Sequence, residues 1–167
     1  MPRIRTVTAM TAAVVLLAVP TSAGASRTEN DRAEAAMARA INGVRAQHGL
    51  SAMRRSGSLG ESAGRYSLWL LANDTFGHLS RIQASSRFAM LGETLAWHSG
   101  RRFSVRHTLN RWMASPSHRA IVLSPVMRWQ GAGVNRGRMG AMRATVWVLH
   151  VGRVHPPGVK VPSLPLP

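Results

Sequence analysis

The chain has 167 residues, 22 of them lysine or arginine against 6 aspartate or glutamate, a formal net charge of +16, and no cysteine. That length suits one ordinary domain able to fold on a hydrophobic core alone. The missing cysteines exclude disulfides, thiolate-bound zinc, iron–sulfur clusters and thiol catalysis, while the charge predicts attraction to anionic surfaces and says nothing of fold.

The first residues carry Arg3 and Arg5 and no acid, and Ala9 to Pro20 is an uncharged apolar run too short to span a bilayer. Ala23-Gly24-Ala25 then offers the small residues that signal peptidase accepts. The pattern predicts a secretory leader over 1–25, cleaved after Ala25. Losing Arg3 and Arg5 would take the charge from +16 to +14. No lipobox cysteine follows, and no later apolar run reaches membrane-spanning length, so the expectation is an exported chain without a transmembrane segment.

From Asp31 to His48, Ala33, Met37, Ala40, Ile41 and Val44 fall on one helical stripe, and Gly49 supplies a left-handed C′ position. Ser58-Leu59-Gly60-Glu61 reads as a capping box opening a second helix. That helix puts Leu59, Ala63, Tyr66 and Leu70 on one face with Leu68 and Leu71 off it, which predicts a helix sandwiched between layers; Asn73-Asp74 ends it. Leu79 to Gly92 lacks a period and is expected to be loop, with a short helix near Arg81 to Phe88. Ser104 caps a third helix with Val105, Leu109 and Trp112 inward and His107 outward. Ser115-Pro116 opens a short fourth helix through His118 to Val122, with serine as N-cap and proline at the first helical position.

Trp129–Asn135 and Arg143–Gly152 read as two strands joined across a Gly-rich turn. The second is apolar on both faces and therefore central. Helices early and strands late predict an α+β fold with helices on a mainly antiparallel sheet. Residues 154–167 hold Pro156, Pro157, Pro162, Pro165 and Pro167 and read as an extended tail, leaving 26–153 as the domain.

Neither a phosphate-binding loop, a dinucleotide fingerprint, a zinc-protease helix nor a nucleophile elbow is present. Beyond residue 61 the only acids are Asp74 and Glu93. Seven histidines stand out, because imidazole binds metal without thiolates. His150, on the central strand, reads as a packed core residue, and His98 and His107 as exposed. Trp69, Trp112 and Trp147 read as core.

Three strings carry the remaining signal: Phe76-Gly77-His78, Gly92-Glu93-Thr94-Leu95-Ala96, and Trp112-Met113-Ala114-Ser115-Pro116-Ser117-His118-Arg119. With Asn42 and Arg45 upstream and Trp147 and Gly152 downstream, their order and spacing resemble the CAP superfamily of cysteine-rich secretory, antigen 5 and pathogenesis-related proteins, in its bacterial secreted branch. The resemblance runs from about Glu34 to Arg153. It implies a three-layer α-β-α sandwich with a surface cleft where two histidines, here His78 and His118, can hold zinc or another divalent metal beside an acid, here Glu93. By the same resemblance Ser115 falls in the cleft where some members place a second acid, and Trp97 follows the Gly-Glu string toward it. Departures are Thr94 for asparagine, Ser117 for glycine, and Leu149 for a last-strand glutamine, which removes a polar group from beneath the cleft.

Two functions remain open. One is a non-enzymatic secreted binding domain for lipid, polymer or protein, its arginines favouring anionic envelope polymers or lipids. The alternative is a metal-dependent, protease-like hydrolase in which His78 and His118 hold the ion and Glu93 serves as general base. Nucleic acid is not an expected partner, since the arginines form no aromatic-interleaved stripe. A monomer is expected.

Overall fold

The computed structural model describes residues 22–100 and 104–158, with side chains from residue 27 onward in the first helix. The expected leader up to residue 21 and the tail from residue 159 lie outside the described residues. Helix α1 spans Ser22–Gln47, beginning well ahead of the Asp31 expected, and no described helix is long and apolar enough to cross a membrane. Its stripe is as predicted: Met37 and Ile41 are fully buried, with Ala33, Ala40 and Val44 packed beside them. Gly49 closes the turn at φ +67°, a conformation that costs glycine little.

The end of α1 is fastened by two polar residues. Asn42 donates to the Met53 carbonyl at 3.0 Å and accepts from Met53 N–H at 2.9 Å. Arg45 is fully buried, and its guanidinium donates to the carbonyls of Ser51, Val122 and Ser124 at 2.8–3.0 Å. Five donors in a planar fork suit a site made of converging carbonyls.

After the short strand β1 (Arg54–Arg55), helix α2 spans Gly57–Ala72. Its N-cap is Ser56, whose hydroxyl accepts from Leu59 N–H; the expected cap Ser58 lies within the first turn, and Glu61 pairs with Arg65 instead. Chain from residue 73 leads to strand β2 (Phe88–Ser99). This corrects the loop and short helix expected here: residues 88–92 are strand, and 81–87 hold no helix. Helices α3 (Val105–Ala114, capped by Ser104) and α4 (Pro116–Val122) follow as predicted. At α4, however, the Ser115 hydroxyl makes no capping bond and sits 3.3 Å from that of Ser117. Strands β3 (Trp129–Met139) and β4 (Met142–Val154) form the expected hairpin, turned by Gly140 at φ +57°.

The sheet order is β1-β3-β4-β2, with β3 and β2 antiparallel to β4 on either side, and β1 parallel to β3 over two residues. It is an α+β sandwich whose sheet is mixed rather than purely antiparallel. The two faces of β4 sort the core. Trp147, Leu149 and Val151 pack with α1, α3 and Trp112, while Val146 and Val148 pack with Ala63, Tyr66 and Leu70 of α2.

Helix α2 is therefore an outer layer, not a sandwiched one. Of its off-stripe apolar residues, Leu71 packs against the core while Leu68 at 54% and Trp69 at 51% exposure face outward, so Trp69 is not core as expected. What draws α2 so close is glycine. A Cβ on Gly131 would lie 2.1 Å from Gly60 N, and one on Gly133 would lie 2.2 Å from Gly64 N.

Candidate functional site

Strand β2 meets β4 with Glu93 directly opposite His150. Both side chains point to the face that α2 covers, and both are buried, His150 completely. A carboxylate there must be paired, and it is. Its Oε2 lies 2.9 Å from His150 Nε2, while Oε1 accepts from His78 Nδ1 at 2.8 Å and from Leu79 N–H at 3.1 Å. Burial alone would raise the Glu93 pKa, but the hydrogen bonds from His150 and His78, aided by Leu79, outweigh it and hold the carboxyl below its ordinary value.

His78 stands on the segment leaving α2. The Tyr66 hydroxyl donates to the Gly77 carbonyl at 2.5 Å, so the residues on both sides of His78 are pinned, one by Tyr66 and one by Glu93. With Nδ1–H donated to Glu93, the His78 lone pair sits on Nε2. A carboxylate that fixes an imidazole's tautomer in this way leaves its other nitrogen ready for an ion. His118, on α4, faces it: the ring centroids are 6.2 Å apart and tilted by 54°. Burial, and next the charge of His78, lower the His118 pKa, which favours the neutral, lone-pair form.

The sequence-predicted residues are thus gathered with different parts. His78 and His118 face one another. Glu93 stands behind His78 as the group that orients it, with both oxygens engaged. Among the described residues no three His, Asp or Glu converge on one point as an ion cage would require. Two imidazoles sharing a tetrahedral ion sit with centroids about 5 Å apart, given metal–nitrogen distances near 2.0–2.1 Å. The observed 6.2 Å is within a side-chain rotation of that, so this pair fits a two-nitrogen site with other positions open.

Ser115 is half-buried at the α3–α4 turn and bonded to Ser117, not to the histidines. Trp97 lies on β2 beyond Glu93, packed against the core under α2 as Leu79 is, and it also borders a second cleft with His98 and His107. Leu149 packs on the opposite side of the sheet, and the polar group beneath Glu93 is its neighbour His150. The roles of His150 and Tyr66 escaped the sequence. His150 was legible as a core residue, but its pairing with Glu93 follows only from the β2–β4 register.

Comparison with known proteins agrees with this architecture. The family model "CAP: Cysteine-rich secretory protein family" matches residues 38–151, and the chain belongs to that family. No curated protein matches. Among solved structures, an outer surface protein from Borrelia burgdorferi is similar at 19% identity and a TM-score of 0.57, over 82% of this chain and 97% of that one. An extracellular SCP-domain protein from Bacillus anthracis gives 17% identity and a TM-score of 0.61, over 81% of this chain and 45% of that one. The venom allergen-like protein 4 of Schistosoma mansoni gives 10% identity and a TM-score of 0.58, over 74% and 90%. At these identities the likeness is one of fold.

Proposed function

We propose that this CAP-domain chain is a secreted, non-enzymatic binding protein of the cell envelope, attaching to anionic polymer or lipid, with a cleft in which His78 and His118 hold a divalent ion such as zinc. One observation carries the preference for binding over hydrolysis. Glu93, the one acid at the cleft, has Oε1 taken by His78 and Leu79 and Oε2 by His150. A general base must reach the water it activates, and Glu93 is buried at 7% exposure with its carboxylate turned onto histidines. An ion between His78 and His118 would supply a Lewis-acidic point for an oxygen of the ligand. The strongly positive charge, +16 for the full sequence, supports an anionic target even after Arg3 and Arg5 are lost, and an outer surface protein and an extracellular protein among the structural relatives agree with export.

Zinc titration tests the cleft. The expected result is saturable binding that weakens as pH falls through the histidine range, because protons compete for the nitrogens. It should be abolished in His118→Ala and weakened about 10–100-fold in Glu93→Gln, which loses the charge that orients His78. Equal zinc binding by His118→Ala would overturn the ion site. Zinc-dependent peptide hydrolysis abolished by Glu93→Gln would overturn the non-enzymatic reading.

A further inference from the structure

At the far end of β2 from Glu93, a second pair of histidines meets. His98 is the strand's penultimate residue, His107 lies in the first turn of α3, and their ring centroids are 5.0 Å apart with planes at 59°. His98 was expected to be exposed but is half-buried, with Nε2 2.7 Å from the hydroxyl of the fully buried Thr108. The pair opens on a cleft of about 490 Å³ walled by Trp97, His98, Ser99, Ser104, His107 and Arg111.

The chemistry of this wall is one-sided. Burial, then His107, then Arg111 lower the His98 pKa, so the groups around it repel its proton and none of them is a carboxylate. The strand paired with it contributes only Thr145 and Ala144, opposite His98 and Ser99. The chain's acids are committed elsewhere: Glu93 to His78 and His150, Glu29 to Arg136, Glu61 to Arg65, Asp74 to Gly140 N–H and Glu34 to Val134 N–H, with Asp31 beside Glu34. The Arg111 guanidinium therefore borders the cleft with no acid facing it, and an anion would complete that wall.

The donors suit an oxyanion. Arg111 offers a guanidinium fork, the imidazoles offer N–H groups, and the Ser104 hydroxyl, which accepts from His107 N–H, keeps its own proton to donate. The cleft exceeds what a bare phosphate fills, which leaves room for the group that carries it. We propose that the cleft of His98, His107 and Arg111 is a binding site for a phosphate ester, the group shared by phosphorylated envelope polymers and phospholipid headgroups. The site rests on the envelope-binding reading above, locating its anion contact, and stands apart from the His78–His118 cleft.

The test is a titration of the protein with inorganic phosphate and glycerol 3-phosphate, followed by the imidazole NMR signals. Saturable binding is expected, with the His98 and His107 signals moving together and His118 unmoved. His107→Gln and Arg111→Gln, both at exposed helix positions, should each weaken it about tenfold, the loss of one charge-assisted bond. His118→Gln should leave it unchanged.

Vesicles of phosphatidylglycerol separate the two sources. Displacement from them by glycerol 3-phosphate identifies the headgroup as the occupant, and saturable binding without displacement identifies a soluble ester. Shifts that never saturate, or an Arg111→Gln variant that binds like the parent, would overturn the site. Vesicle binding that persisted beside that result would leave the wider envelope reading standing, whereas its absence beside a saturable site would refute the envelope reading alone.

Discussion

Glu34 on α1 accepts a hydrogen bond from Val134 N–H at 3.1 Å, across the gap between the helix and the edge of β3. Burial pushes its pKa up to about 7 from 4.5, helped by nearby Asp31 and opposed by the Val134 bond and Arg55. The folded state therefore holds this proton more tightly than the unfolded chain. Below about pH 4.5 both states are protonated and the carboxyl costs nothing. Between 4.5 and 7 the unfolded state ionises first, so stability falls as pH rises and the loss is complete above 7. Glu34→Gln keeps the acceptor and removes the charge. It should match the parent at pH 4 and unfold at higher denaturant at pH 8; equal midpoints at pH 8 would contradict this account. His118 acts with the opposite sign. Its lowered pKa makes folding lose stability as pH drops below the ordinary histidine value.

At the level of elements, the contact between α2 and the sheet is backbone on backbone. Gly60 and Gly64, one turn apart, lie over Gly131 and Gly133, one pleat apart, and a methyl group at either strand position would fall within 2.2 Å of helix backbone. Backbone cannot rotate away as a side chain can. Gly133→Ala should cost about 3 kcal/mol or more, measured by denaturant unfolding, whereas Gly64→Ala, with nothing within 4 Å of its Cβ, should not destabilise. Because α2 leads directly to the Tyr66-anchored turn, Gly133→Ala should also disturb His78. The helices α1, α3 and α4 and the β3–β4 hairpin were legible in the sequence because stripes, caps and alternation are local. Strand β2 was not: Gly92 and the buried Glu93 break its alternation, and its pairing with β4 is a contact between residues 57 positions apart. The histidines of the cleft could be named through the family resemblance, but the pairing of Glu93 with His150 could not, since it depends on that register.

Across the whole molecule, β2 serves both histidine clefts: Glu93 at its middle orients His78, and His98 near its end faces His107. It is also the outermost strand, bonded to β4 alone among the described residues. Its one charged residue, Glu93, is turned inward, and it carries no lysine or proline, the usual guards of a bare edge. If copies stay single, the mutual repulsion of heavily cationic molecules is the force available to keep two such edges from pairing. Light scattering should find single molecules at low ionic strength and growing clusters near about 1 M salt, where that repulsion reaches only about 3 Å. Met90→Lys, placing a charge on the partly exposed start of the edge, should suppress them; clusters unaffected by salt or by this substitution would refute the idea. Colloidal behaviour is then tied to the target itself. An anionic surface that captures the protein also neutralises the charge that held copies apart, so captured molecules are expected to gather into patches instead of spreading evenly.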